Sequence, residues 1–237
     1  MQISIKYKEN VIPVEVIFRR RKTIAIRVEV PDKVTIIAPE RTRKSVIMNS
    51  VQSKAGWITK KLAELKERQD QISPKSYADG ELFMYLGRKI PLHLHLDRTL
   101  QQPEVTLDHG KLSVNAPDIE PEIIKQALEL WYRDQARSVI KAQVDHFQPL
   151  IPQSPNRVVI KTQNSRWGSC SSKANLNFNW KIIMAPLAVL DYVVVHEMCH
   201  LIYLNHSRDY WNLVGSILPD YKERKDWLRK NGCTLSC

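Results

Sequence analysis

Residues 191–206 read DYVVVHEMCHLIYLNH, and His196-Glu197-Met198-Cys199-His200 within them forms an H-E-x-x-H pattern. Residues four apart share one face of a helix. His196 and His200 can therefore hold one metal ion together, with Glu197 beside them, facing the water on that metal. The apolar run Tyr192-Val193-Val194-Val195 just before the motif predicts a buried helix, with the histidines at a site rather than on an open surface. His206 follows a short distance on, so three of the chain's 7 histidines cluster in this one stretch. Three protein ligands plus a water is the coordination of a catalytic zinc, not a structural one.

The identity of the third ligand stays open at this level. Zincins take it from a histidine close behind the motif or from an acid on a later helix. His206 has the metzincin spacing, but metzincins need Gly where Tyr203 stands and a Met-turn afterwards, and no Met follows Met198. A metzincin is excluded. His206 is preferred, and the acid alternatives are Asp209, Asp220 and above all Glu223. The chemistry expected is a zinc-dependent hydrolase, in which a metal-bound water activated by Glu197 attacks the substrate. An oxyanion donor is also needed, and Arg166, Tyr203 and Tyr210 are the candidates. Asn177, on the polar face of a predicted strand, is a further candidate for substrate binding.

The chain has 237 residues, a hydrophobic content of 43% and a formal net charge of +11. That length suits one large domain or two small ones. No apolar run approaches the span of a bilayer, and the N-terminus lacks a signal-like apolar core, so a cytoplasmic protein without membrane contact is expected. Four cysteines without paired spacing fit a reducing compartment. Residues 1–70 carry 16 Lys and Arg against 8 Asp and Glu, so the positive charge is concentrated at the start. A basic surface attracts anionic partners: a nucleotide, nucleic acid on the N-terminal region, or an acidic protein.

Period-2 alternation predicts strands over 2–8, 11–18, 23–30 and 33–38, an antiparallel meander followed by one helix over 43–69. On that helix Val46, Ile47, Val51, Trp57, Ile58, Leu62 and Leu65 form the apolar stripe. Strands resume over 81–86 and 89–96, and His109-Gly110 marks a hairpin between 104–108 and 111–115. Composition then turns helical over 118–148. A strand at 157–161 precedes the S-R-W-G-S-C segment at 165–170, and 175–183 returns as a strand whose edge could pair with an extended peptide. The expected architecture is α+β: a basic β-rich region over 1–117 with one helix, and a zincin-like helical metal domain with a short β-hairpin or sheet over 118–237.

The stretch SRWGSCSSKANLNFNWKIIMAPLAVLDYVVVHEMCHLIYLNHSRDYWNLV resembles the signature of the YgjP-like family of metal-dependent hydrolases. It is similar, more distantly, to SprT-like and minigluzincin metallopeptidases. The resemblance rests on R-W-G-S-C, the N-x-N strand, H-E-x-C-H and N-H-S-x-x-Y-W, and extends to R-R-R-K-T-I-A-I-R-V near the start and to Y-L-G-R-K-I. It implies His196, His200 and His206 as ligands of one zinc ion and Glu197 as general base. It leaves the substrate open. A metallopeptidase acting on an extended peptide is the first reading. A nucleoside triphosphate (UTP) pyrophosphohydrolase, using Mg2+ or another divalent ion with its phosphate substrate, is the second. A non-enzymatic nucleic-acid-binding module with a structural metal is the third.

Overall fold

Alternating apolar residues build a sheet at the start of the chain, and its buried face is closed by helices. In the computed structural model, which describes residues 2–7, 10–29, 33–70, 74–163 and 166–235, these are β1 (Gln2–Tyr7), β2 (Asn10–Arg19), β3 (Ala25–Glu29) and β4 (Lys33–Pro39). Ile3, Ile5, Ile12, Val14, Val16, Val34, Ile36 and Ala38 point to one face. They meet Ile47 and Val51 of α1 (Lys44–Gln52) and Ala55 and Ile58 of α2 (Ala55–Asp70). Two helices thus replace the single helix expected over 43–69, broken at Ser53 and Lys54. Val46 and Trp57, read as part of the buried stripe, are each 50% exposed.

The strand order is β1-β2-β4-β3. β1–β2 and β3–β4 are antiparallel hairpins, but β2 and β4 pair in parallel. The antiparallel meander is therefore corrected to a mixed sheet. Because β3 lies on the outside of β4, the returning β4 runs in the same direction as β2. The turn residues Glu9, Pro31 and Asp32 lie outside the described residues.

The same arrangement recurs downstream. Strands β5 (Leu82–Tyr85), β6 (Arg88–Leu96), β7 (Glu104–Asp108) and β8 (Lys111–Ala116) take the order β5-β6-β8-β7, again with two outer antiparallel hairpins and a central parallel pair. Leu86-Gly87 and His109-Gly110 all have positive φ, as two-residue hairpin turns of type I′ require. A helix follows each sheet, here α3 (Pro121–Phe147).

The described residues divide into two compact units, 1–73 and 74–237. The physical reason is a shared core. Phe83, Ile90, Leu92, Leu112 and Val114 of the second sheet are buried in one cluster with Ile124, Leu128 and Tyr132 of α3. That cluster continues into α4 (Leu187–Cys199), which carries the H-E-x-x-H motif. The Tyr132 hydroxyl donates to the Met84 carbonyl at 2.8 Å, tying α3 to β5.

A third sheet, in the order β10-β11-β9, holds β9 (Arg157–Lys161), β10 (Gly168–Cys170) and β11 (Asn175–Asn179). β11 stops four residues before the expected end because Asn179 Oδ1 accepts from Lys181 N–H and starts a 3-10 turn over Trp180–Met184. The β5–β6 turn docks on that segment: Leu86 N–H donates to the Ile183 carbonyl at 2.8 Å and Gly87 N–H to Met184 at 3.2 Å. Pro186 then leads into α4, so the second sheet sets the entry angle of the motif helix. α5 (Arg208–Ile217) and α6 (Tyr221–Asn231) complete the unit. Among the described residues no helix is long and apolar enough to cross a membrane.

Gly87 has φ +79°, and a Cβ there would stand 2.9 Å from Pro186 Cα, whereas Gly110 has a similar φ (+77°) with nothing within 4 Å. Gly110→Ala is expected to cost about 1 kcal/mol from backbone strain alone. Gly87→Ala should cost about 1–3 kcal/mol more, because backbone must move at the α4 entry. Urea denaturation of the two variants beside the wild type checks the difference.

Candidate metal centre

α4 is apolar nearly all round, with Val189, Leu190, Tyr192, Val193, Val194, Val195, Met198 and Cys199 buried. Such a helix sits inside the core, and only its two ends, Leu187-Ala188 and the C-terminal turn, reach the surface. There His196 and His200 stand one turn apart. The chain then turns back through Leu201–Asn205, and Ser207 caps α5 by accepting from Tyr210 N–H at 3.3 Å. That turn brings the His206 ring to the pair: His206 Nε2 lies 3.2 Å from Nε2 of both His196 and His200. All three ligand atoms fall within 4.8 Å of one another.

The other ring nitrogens are committed. His200 Nδ1 lies 2.8 Å from the Tyr203 carbonyl, which only accepts, so Nδ1 carries the proton and Nε2 a lone pair. The Tyr210 hydroxyl donates to the His196 carbonyl at 3.0 Å and lies 2.7 Å from His196 Nδ1, which completes the pair by donating to it. Burial, helped by His200, His206 and Lys225, pushes the His196 pKa down to about 3. Burial first, then the same neighbouring charges, lowers that of His206 as well. His196 and His206 are thus held toward the neutral form that a metal ligand requires. The Nε2 lone pairs of His196 and His200 both face His206 Nε2 at 3.2 Å. Zinc–nitrogen bonds of about 2.0–2.1 Å at a tetrahedral angle give a nitrogen–nitrogen spacing of about 3.3 Å, and the triad fits that donor set.

Glu197 is only 5% exposed. Gly168 makes room for it: a Cβ at that position would stand 2.5 Å from Glu197 Cγ and 2.6 Å from Oε1. Cys170 N–H donates to the Glu197 carboxylate. Burial raises the Glu197 pKa to about 7, while the Arg166 charge and the Cys170 N–H pull the other way. A buried carboxylate titrating there is tuned for proton transfer at neutral pH.

The other sequence candidates are placed unevenly. Arg166 is exposed with its charge directed at Glu197. Asn177 Nδ2 contacts Ser169 across the sheet, at 3.4 Å to both the carbonyl and Oγ. Tyr203 meets the cluster through its backbone carbonyl. Tyr210 is buried, and its hydroxyl faces His196, a candidate ligand. β11, expected as an edge strand, lies in the middle of its sheet, and β10 and β9 are the edges. The acid alternatives to His206 do not join the cluster among the described residues, and Asp220 instead pairs with Arg224 at 2.9 Å. Sequence reasoning missed the roles of Gly168 and the Cys170 N–H, although the R-W-G-S-C segment that holds both was the signal. It also missed Trp211, whose ring stacks on His206 with centroids 5.5 Å apart; the aromatic pair after N-H-S marked it.

The chain matches the YgjP-like family, described as a YgjP-like metallopeptidase domain, over residues 22–231. It belongs to that family. Membership makes the chain a metal-dependent hydrolase, and a metallopeptidase domain implies a divalent metal, for which the histidine cluster is the candidate holder. No curated protein matches the chain significantly. Among solved structures, the metallopeptidase zymogen abylysin of Pyrococcus abyssi is similar at 18% identity and a TM-score of 0.35, covering 37% of this chain and 89% of that one.

Glu197 also makes a stability prediction for the metal-free protein. Its folded pKa, about 7, lies above the ordinary 4.5. The contribution of its protonated form is full below about pH 4.5 and is lost as pH rises through 7, roughly 3 kcal/mol in all. Glu197→Gln abolishes that titration. Chelator-treated Glu197→Gln should therefore melt above chelator-treated wild type at pH 8, with the gap closing toward pH 4.5, as thermal denaturation at both pH values reads.

Proposed function

We propose that this YgjP-like chain is a zinc-dependent peptidase, with His196, His200 and His206 as ligands and Glu197 as general base. The observation that carries the reading is the convergence of three Nε2 atoms, His206 lying 3.2 Å from each of the other two, with the Nδ1 positions of His196 and His200 already spent. Zinc bound there supplies a Lewis acid that polarises a carbonyl and acidifies water. Glu197 takes the proton of the attacking water and delivers it to the leaving amine nitrogen. Its raised pKa suits both directions of that transfer, and Gly168 and the Cys170 N–H hold the carboxylate in place. Tyr210 orients His196, and the Tyr203 carbonyl orients His200, in the manner of partners that fix a ligand's tautomer.

Arg166, exposed and directed at the Glu197 side, meets the oxygen that becomes negative during attack. β10 aligns the peptide. Backbone bonds from Asn179 to Trp167 and from Ser171 to Asn175 pair that side of the segment with β11. Alternation turns the N–H groups of Gly168 and Cys170 outward. Cys170 uses its own on Glu197, and Gly168 offers its N–H to an extended substrate backbone.

Purified protein and its Glu197→Gln form, each with and without chelator, should be incubated with casein-type substrates and a nucleoside triphosphate panel. Peptide-bond cleavage that falls by about 10²–10⁴ in Glu197→Gln, and with chelator, is the expected result. Release of diphosphate instead of peptides replaces the peptidase with a pyrophosphohydrolase, and turnover that survives Glu197→Gln removes the general base. Independently of activity, His206→Ala should lower zinc content on dialysis. Tyr210→Phe should retain zinc but bind it about 10-fold more weakly, measured by competition with a chromophoric chelator.

A further inference from the structure

A cavity of about 380 Å³ adjoins the histidine cluster on the α5–α6 side, lined by Trp211, Tyr221, Lys222, Lys225, Asp226 and Arg229. Aromatic stacking joins it to the centre. The Trp211 ring stacks on His206 at 5.5 Å and 21°, and on Tyr221 at 5.3 Å and 16°. Lys222, Lys225 and Arg229 project from one face of α6, at i, i+3 and i+7. Lys225 Nζ stands 4.3 Å from the centroid of Trp211. Asp226, the one acid in the lining, is already occupied by Arg229 at 3.0 Å and by Lys230 at 2.8 Å. Lys222 and Lys225 form no ion pair among the described residues.

The charge pattern chooses the ligand. The Lys225 charge already reaches His196 and His206. A divalent cation at the triad would add to it, and like charges gathered around one cleft raise its potential. A cleft of that sign concentrates anions and repels basic groups. The Trp211–Tyr221 wall adds an apolar surface that accepts methylenes below a carboxylate, and an indole under an ammonium keeps that ammonium in place for an ion pair.

We propose that this cavity is the specificity subsite for an acidic side chain of the peptide substrate, with Lys222 and Lys225 as ion-pair partners and the Trp211–Tyr221 stack as its wall. The proposal rests on the peptidase reading given above. An Asp or Glu near the scissile bond seats its carboxylate between the two ammonium groups, while its backbone continues past His206 toward Glu197. Arg229 stays with Asp226 and limits the subsite to one carboxylate. Lysine or arginine at the same substrate position is excluded by charge.

Two measurements separate failure of the subsite from failure of the peptidase reading. The first is binding without turnover: zinc-loaded Glu197→Gln protein, with and without Lys222→Ala/Lys225→Ala, is titrated by calorimetry with acetylated hexaglutamate and with inorganic triphosphate. The expected result is hexaglutamate binding that weakens at least 10-fold in the double variant. Hexaglutamate that does not bind, binding that the lysines do not change, or triphosphate alone depending on them would each overturn the proposal.

The second is cleavage of peptides with Glu, Ala or Lys at each position flanking the scissile bond. Wild type should prefer Glu at one position by at least 10-fold in kcat/KM, chiefly through KM. Lys222→Glu/Lys225→Glu should invert that preference, read as the ratio of kcat/KM for the Lys and Glu peptides within the variant. Equal cleavage of Glu and Ala peptides by the wild type would overturn the subsite and leave the peptidase. No cleavage of any peptide would remove the peptidase and with it the assignment of this cavity to a peptide side chain.

Discussion

A carboxylate can be buried on an apolar helix only where a neighbouring strand leaves room for it and gives it a hydrogen bond. Gly168 and the Cys170 N–H meet both conditions for Glu197, and much of the second unit can be understood as holding them there. Any side chain at 168 would overlap Glu197 itself, so β10 approaches α4 as closely as backbone allows. The same N–H that restrains the carboxylate keeps its pKa from rising further under burial. The position of the Glu197 carboxylate, its protonation and the path of β10 are thereby one constraint.

The histidine cluster depends on the same helix from its other end. α4 is embedded by its aliphatic residues, and its last turn carries His196 and His200 to the surface. The third ring is not on the helix. It arrives because the chain reverses after Leu201 and Ser207 starts a new helix, whose buried Tyr210 returns to bind His196. Trp211, the next residue on α5, stacks on His206 and forms the wall of the basic cavity. The histidine cluster and the cationic cleft therefore share adjacent residues of one helix, a physical route by which charge in the cleft bears on the site.

The repeated strand order places these elements. Each four-stranded sheet joins two hairpins through a central parallel pair and passes into a helix. In the second copy the β5–β6 turn hydrogen-bonds the segment just before α4, so a hairpin far away in sequence sets the motif helix. The N-terminal unit has its own core and its own basic surface, with Arg20 and Lys22 exposed beyond β2.

Local chemistry was legible in the sequence. The i, i+4 histidines, the glycine turn at 109–110, the long helix after Asp118 and the Ser207 cap each follow from rules acting over a few residues, and each stands in the structure. The H-E-x-C-H and N-H-S segments also carried the family. What tertiary structure alone decided is non-local. Parallel pairing of β2 with β4 and of β6 with β8 depends on which strand lies outside which, a choice that alternation along one strand does not encode. Strands β5–β8 share a unit with the histidine cluster because their apolar face is covered by α3. Val46 and Trp57 are exposed although they are apolar, β11 is central although its sequence resembles an edge, and Tyr210 faces His196. In each instance the residue type was known from the start, while its neighbours were set by packing between segments distant in the chain.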